Sequence, residues 1–108
     1  MIEIRRYVDR TGRTPFDKWF LTLDGTTQGR IVKGLDRLED GNFSNFKGVG
    51  KGVFELRFQF GPGYRVYCGR DGDTLVILFG GGTKKRQQID IEGAQILWRE
   101  YKQRKENG

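Results

Sequence analysis

Histidine is absent from this 108-residue chain, cysteine occurs once and proline twice. Without histidine there is no imidazole acid/base pair, no Ser-His-Asp or Cys-His nucleophile and no His/Cys zinc cage. The single Cys68 excludes a disulfide framework. Long apolar runs are also missing: none approaches the roughly 18 residues that a membrane span needs. Residues 1–6, Met-Ile-Glu-Ile-Arg-Arg, lack the apolar core of a signal peptide. These absences point to a cytoplasmic protein that engages no membrane and uses no metal or other cofactor.

What the chain does contain is glycine, 17 residues of it, and large rings: two Trp, four Tyr and eight Phe. Each buried ring removes roughly 150–250 Å² from water, so a core needs no covalent staple. The length corresponds to a single domain spanning 1–108. Lys and Arg number 20 against 14 Asp and Glu, a net +6, which favours a polyanionic partner. The excess is localised. Residues 47–70 carry +4 and residues 84–108 carry +3, either side of an acidic turn region.

Ile2, Ile4 and Val8 alternate with polar residues and predict a strand over about 2–8. Thr14-Pro15-Phe16-Asp17 predicts a helix start, with Thr14 as N-cap and Pro15 in the first turn; Phe16, Trp19, Phe20 and Leu23 then form one apolar face. A second helix is expected over Thr27–Asp40, ended by Gly41. The glycine-rich stretch 41–52, with Lys47 and Lys51, has no period and reads as a loop able to approach a ligand. Phe54, Leu56, Phe58 and Phe60 then alternate with polar residues, as do Tyr64, Val66 and Cys68 after Gly61-Pro62-Gly63, a hairpin. Residues 74–79 are apolar on both faces, which marks a central strand covered on each side or nearly so. Gly80–Thr83 reads as a turn. A last helix is expected from Asp90, its N-cap, with Ala94, Leu97, Trp98 and Tyr101 inward and the tail of Lys102, Arg104 and Lys105 frayed. The order β-α-α-β-β-β-α predicts an α+β domain: a mostly antiparallel sheet with helices packed on one face.

If the three-residue turn 61–63 pairs Phe60 with Tyr64, Arg57 faces Tyr67 and Gln59 faces Arg65. Glu55, Arg57, Gln59, Arg65 and Tyr67 then share one sheet face, and Phe54, Leu56, Phe58, Val66 and Cys68 the other. Two readings stay open. The polar face is either an ordinary solvated surface, or an RNA- or DNA-binding patch in which arginines hold phosphate and Tyr67 stacks on a base. The Lys84-Lys85-Arg86 run after the glycines is likewise either a solvated charge run or a phosphate cradle. Trp19, Trp98, Phe16 and Phe20 read as core, and Cys68 as a buried thiol.

Taken together, the segments Glu55-Leu56-Arg57, Gly63-Tyr64-Arg65-Val66-Tyr67 and Gly81-Gly82-Thr83-Lys84 through Gln87 to Asp90-Ile91 resemble the RelE/ParE toxin superfamily, within it the HigB-like branch of phage-derived addiction-module killer proteins. The resemblance covers nearly the whole chain. It implies a RelE-like fold and a type II toxin that, free of its antitoxin, enters the ribosome and cleaves mRNA there as a metal-independent endoribonuclease, inhibiting translation. The implied partners are a cognate antitoxin of helix-turn-helix type, the ribosome and mRNA, with further assembly of toxin–antitoxin complexes. By position the working residues would be Arg57, Arg65, Lys84, Glu55 and Asp90, with Lys47, Lys51, Tyr67, Lys85, Arg86 and Gln87 touching RNA. The chain departs from RelE at Glu55, where RelE has a lysine, and near Ile91, where RelE has a tyrosine; Thr83 stands where the branch usually has Asp. The general base is therefore open between Glu55 and Asp90. On this reading Arg65→Ala abolishes toxicity without unfolding the chain. Two other functions fit the same residues: a ParE-like gyrase inhibitor with no RNase activity, and a non-toxic nucleic-acid-binding module.

Overall fold

Period-two alternation from Phe54 to Cys68 builds the middle of a five-stranded sheet. In the computed structural model, which describes residues 1–108, the chain runs β1 (Glu3–Arg6), α1 (Pro15–Phe20), α2 (Gly25–Glu39), β2 (Phe46–Gly50), β3 (Val53–Phe58), β4 (Tyr64–Asp71), β5 (Leu75–Thr83), a 3-10 turn at Lys84–Arg86, and α3 (Gln87–Asn107). The strand order is β1-β5-β4-β3-β2, with β1 parallel to β5 and the other pairings antiparallel. No helix is long and apolar enough to cross a membrane.

Two cores lie on opposite faces of the sheet. On one, Phe16 of α1 and Ile31 and Leu38 of α2 pack with Leu56, Val66, Cys68, Val76 and Leu78. On the other, Ile91, Ala94 and Trp98 of α3 pack with Val53, Tyr67, Ile77 and Phe79. The expected placement of all helices on one face is thus corrected: β5 is apolar on both faces because both are covered. The covering by α3 buries the face read as polar, including Tyr67, Glu55 and Arg65.

The helix starts follow their local chemistry. Pro15 opens α1 after Thr14, and the Asp24 side chain accepts a hydrogen bond from the Thr27 N–H at 2.7 Å to cap α2. Gly41, at φ 88°, ends α2 in the left-handed conformation glycine tolerates best.

Other expectations shift. The stretch 41–52 is not all loop, because Phe46–Gly50 forms the edge strand β2. An edge strand held by backbone pairing to β3 and interrupted by a bulge at Gly48/Gly50 needs no side-chain alternation, so no period announced it. Phe58, not Phe60, opposes Tyr64, so Arg57 faces Arg65 and Glu55 faces Tyr67. The slip is two residues, which preserves every side-chain face. Gly80–Thr83 continues β5 instead of turning, its backbone pairing with Tyr64–Tyr67 past a bulge. The last helix begins at Gln87 with Arg86 as N-cap, so Asp90 lies inside the first turn and caps nothing. Its end does not fray at Lys102. Lys105 pairs with Asp71 at 2.8 Å, and the Arg104 guanidinium donates to the Val8 carbonyl at 2.7 Å.

Trp98 seats α3 on the sheet by lying over a residue with no side chain. A Cβ on Gly69 would come 2.3 Å from its ring. Gly69→Ala is expected to destabilise the fold by about 1–3 kcal/mol through overpacking. A thermal melt checks this: the midpoint should fall by at least about 4 °C, at 4–8 °C per kcal/mol for a domain of this size.

Candidate nucleic-acid interface

Three elements converge at the Gln87 end of α3. The β3–β4 ladder sets Glu55 opposite Tyr67 and Arg57 opposite Arg65 on the α3 face, and Gly82 of β5 lies beside Arg65. The Asp90 side chain sits over Gly82: a Cβ there would come 2.0 Å from Asp90 Oδ2 and push the carboxyl aside. The first turn of α3 therefore brings the Asp90 carboxyl onto the sheet at Gly82, next to Arg65.

Glu55 is the hub. Its carboxylate, almost fully buried, takes the Arg57 Nε at 3.3 Å and a hydrogen bond donated by the Gln87 amide at 2.9 Å. The Arg65 Nε lies 3.9 Å away, within ion-pair reach but too far for a hydrogen bond. The buried Arg65 Nε has no hydrogen-bond partner, while another of its guanidinium nitrogens donates to the Gly63 carbonyl at 2.6 Å. Arg57 differs from Arg65 in exposure. Its side chain is 40% accessible against 6% for Arg65, so Arg57 is the guanidinium that can meet a ligand without rearrangement.

Two further polar atoms in this cluster are buried without partners: the Tyr67 hydroxyl and Asp90 Oδ2. Burial holds the Tyr67 hydroxyl well above an ordinary phenol pKa, and the Glu55 and Asp90 carboxylates reinforce this. Tyr67 is therefore a neutral group able to donate a proton in a hydrogen bond. Burial also raises the Asp90 pKa, opposed by the Arg86 charge. A carboxyl that holds its proton more tightly when folded contributes stability that is complete below its unfolded pKa, near 3.9, and is lost as pH rises through the raised value. Asp90→Asn, neutral throughout, should therefore raise the melting temperature at pH 7 and give no gain at pH 3; paired melts at the two pH values check it.

Of the residues expected at the site, Glu55, Arg57, Arg65, Tyr67, Gln87 and Asp90 come together. Lys84 joins them through the β3–β4 turn: its backbone N–H donates to the Pro62 carbonyl at 3.4 Å, and its side chain lies against Gly63 beside Arg65. Lys85 and Arg86 are exposed on the 3-10 turn. Lys47 is exposed on β2 opposite Glu55. Lys51 is not part of the group, since it occupies the β2–β3 turn, where Gly52 lies against Trp98 further along α3. Tyr67, 1% exposed, has no free ring face, so the base-stacking role expected of it is corrected. No three of His, Cys, Asp and Glu gather closely enough to hold a metal ion. What sequence reasoning passed over is the row Arg30, Lys33 and Arg37 on α2, whose i, i+3, i+7 spacing was the available signal.

A buried carboxylate holding two guanidiniums, with Lys84, Lys85 and Arg86 open at the rim, can bind and polarise a phosphate group. The family model described as phage derived protein Gp49-like matches residues 18–102. An uncharacterized protein of Haemophilus influenzae is 42% identical over 86 residues, covering 79% of this chain and 87% of the relative.

Proposed function

Because the chain belongs to the phage-derived Gp49-like family, which lies within the RelE/HigB-like toxins of toxin–antitoxin modules, we propose that it is a ribosome-dependent mRNA endoribonuclease of the HigB-like branch. Membership already implies a cognate antitoxin. The further partners in this reading are the ribosome, mRNA and a helix-turn-helix antitoxin, with toxin–antitoxin complexes that assemble further.

The observation that carries the reading is the convergence of Arg57 and Arg65 on Glu55, with Asp90 next to Arg65. Metal-free RNA cleavage needs a base for the 2′-hydroxyl, positive charge on the phosphorane, and a proton for the departing 5′-oxygen. The 2′-oxygen bonds to phosphorus as the bond to the 5′-oxygen breaks, leaving a 2′,3′-cyclic phosphate and a free 5′-hydroxyl. Arg57 and Lys84 hold the non-bridging oxygens, and Arg65 adds its charge from beneath. Glu55 acts as a positioning residue: its oxygens are committed to Arg57 and Gln87, so it fixes the arginine fork and takes no proton. Asp90, whose carboxyl holds its proton more tightly than usual, is the group assigned to take the 2′-hydroxyl proton and pass one to the departing 5′-oxygen, which requires its buried Oδ2 to turn outward. Holding the strand in line on the ribosome can remove a further roughly 7–11 kcal/mol of barrier.

Expression without antitoxin, with 5′-end mapping of cellular mRNA, tests this. Growth arrest accompanied by new transcript ends inside reading frames supports the proposal; arrest with intact transcripts and inhibited gyrase supports a ParE-like poison instead.

A further inference from the structure

A groove of about 370 Å³ opens at the edge of the sheet, between α2 and the end of β3, on the side away from α3. Its floor is close-packed: a Cβ on Gly34 of α2 would come 2.3 Å from the Phe58 ring, so glycine lets the helix settle onto the strand. One wall is the α2 row of Arg30, Lys33 and Arg37, and the end of β3 from Leu56 to Phe60 forms the other; Arg57 lies in that stretch but turns its guanidinium to Glu55 on the opposite sheet face. All three helix cations are exposed, and none takes part in any of the ion pairs of the structure. No lining residue is acidic.

Three unpaired cations along one cavity with no acid in its lining make it attractive to an anion. The other lining groups say which anion. Arg30 stacks over the Phe60 ring at 4.4 Å, giving a flat cationic–aromatic platform, and Asn45 and Gln59 line the groove with amides. Platforms of this kind take nucleobases, and amides meet base edges. Arginine clusters also take acidic peptides, but a peptide carboxylate makes no use of the Arg30–Phe60 platform or of the Asn45 and Gln59 amides, which suit a base. Arg57 belongs to both places: its Nε pairs with Glu55 in the phosphate-binding cluster while the residue lines the groove.

We propose that this groove is a nucleotide subsite for single-stranded RNA, in which Arg30, Lys33 and Arg37 hold the phosphates of the strand adjoining the one gripped at Arg57, and Phe60, Asn45 and Gln59 receive its base. The inference rests on the RNA-cleaving reading for its substrate, but its test does not depend on cleavage.

The probe is a fluorescein-labelled 2′-O-methyl RNA hexamer, which cannot be cut, titrated by anisotropy across salt concentrations. Arg30→Ala/Arg37→Ala should weaken binding at least tenfold at low salt and flatten the salt dependence by about 1.4 log units per log unit, at roughly 0.7 per single-strand phosphate contact. Arg13→Ala/Arg99→Ala removes the same charge from exposed positions outside the groove and should change affinity less than threefold. Equal losses in both double variants, or less than a twofold loss in the first, would overturn the proposal. So would a deca-glutamate peptide that binds the parent as tightly as the hexamer and is lost with Arg30 and Arg37. A protein that binds the hexamer through the groove but cuts no mRNA sinks the nuclease reading alone.

Discussion

Arg57→Ala should leave a folded protein that no longer arrests growth. Removing one positioned cation from a developing phosphorane costs on the order of 100- to 1000-fold in rate, and Arg57 is the exposed guanidinium of the pair. The structural cost should be small, because a partly exposed ion pair contributes about 1 kcal/mol or less and Glu55 keeps its Gln87 hydrogen bond. Melting should therefore shift by only a few degrees. Arg57→Lys should recover part of the activity, since a lysine supplies the charge without the planar fork. Cleavage and growth assays on the two variants, beside their melts, separate the cation's role from its packing. A stable Arg57→Ala protein that still arrests cells would remove Arg57 from the mechanism.

Arg65→Ala should fail differently, by losing stability. The side chain is 6% accessible and is the charge beneath Glu55, itself at 2%. Deleting the Arg65 side chain empties a buried site and removes one of the two guanidiniums facing Glu55, which keeps Arg57 and Gln87; breaking a buried pair costs up to about 3–5 kcal/mol. For a domain of this size that corresponds to roughly 12–40 °C in melting temperature. The surface reading of Arg65, under which Arg65→Ala abolishes toxicity in an intact fold, does not survive its burial. Loss of toxicity in Arg65→Ala reports on stability as much as on chemistry, and an unshifted melt would contradict the buried pair.

Why Arg65 was misplaced shows what the sequence carries. Alternation in Phe54–Phe58 and Tyr64–Cys68 separated the two sheet faces correctly, even with the register two residues out. It did not say what covers each face. A face bearing Glu55, Arg57 and Arg65 reads as solvated, yet Val53, Tyr67, Ile77 and Phe79 share it and need a second layer. The both-sided apolar strand at 74–79 held that information, and the buried set of Ile91, Ala94 and Trp98 shows which helix supplies it. Edge strand β2 was invisible because its backbone pairing carries no side-chain pattern. Val8 follows the alternation from Ile2 and Ile4 yet is exposed at 49%, while Tyr7 is buried, because β1 ends at Arg6. Asp90 resembled an N-cap in sequence. Only its approach to Gly82 shows it as a half-buried carboxyl with one oxygen out of solvent.

The most direct test is primer extension on a defined mRNA in a purified translation system, with the protein added and its antitoxin withheld. Cleavage of ribosome-bound message, absent from the naked transcript and reduced at least about 100-fold by Arg57→Ala, is the expected result. An intact message beside a growth-arresting protein would contradict it.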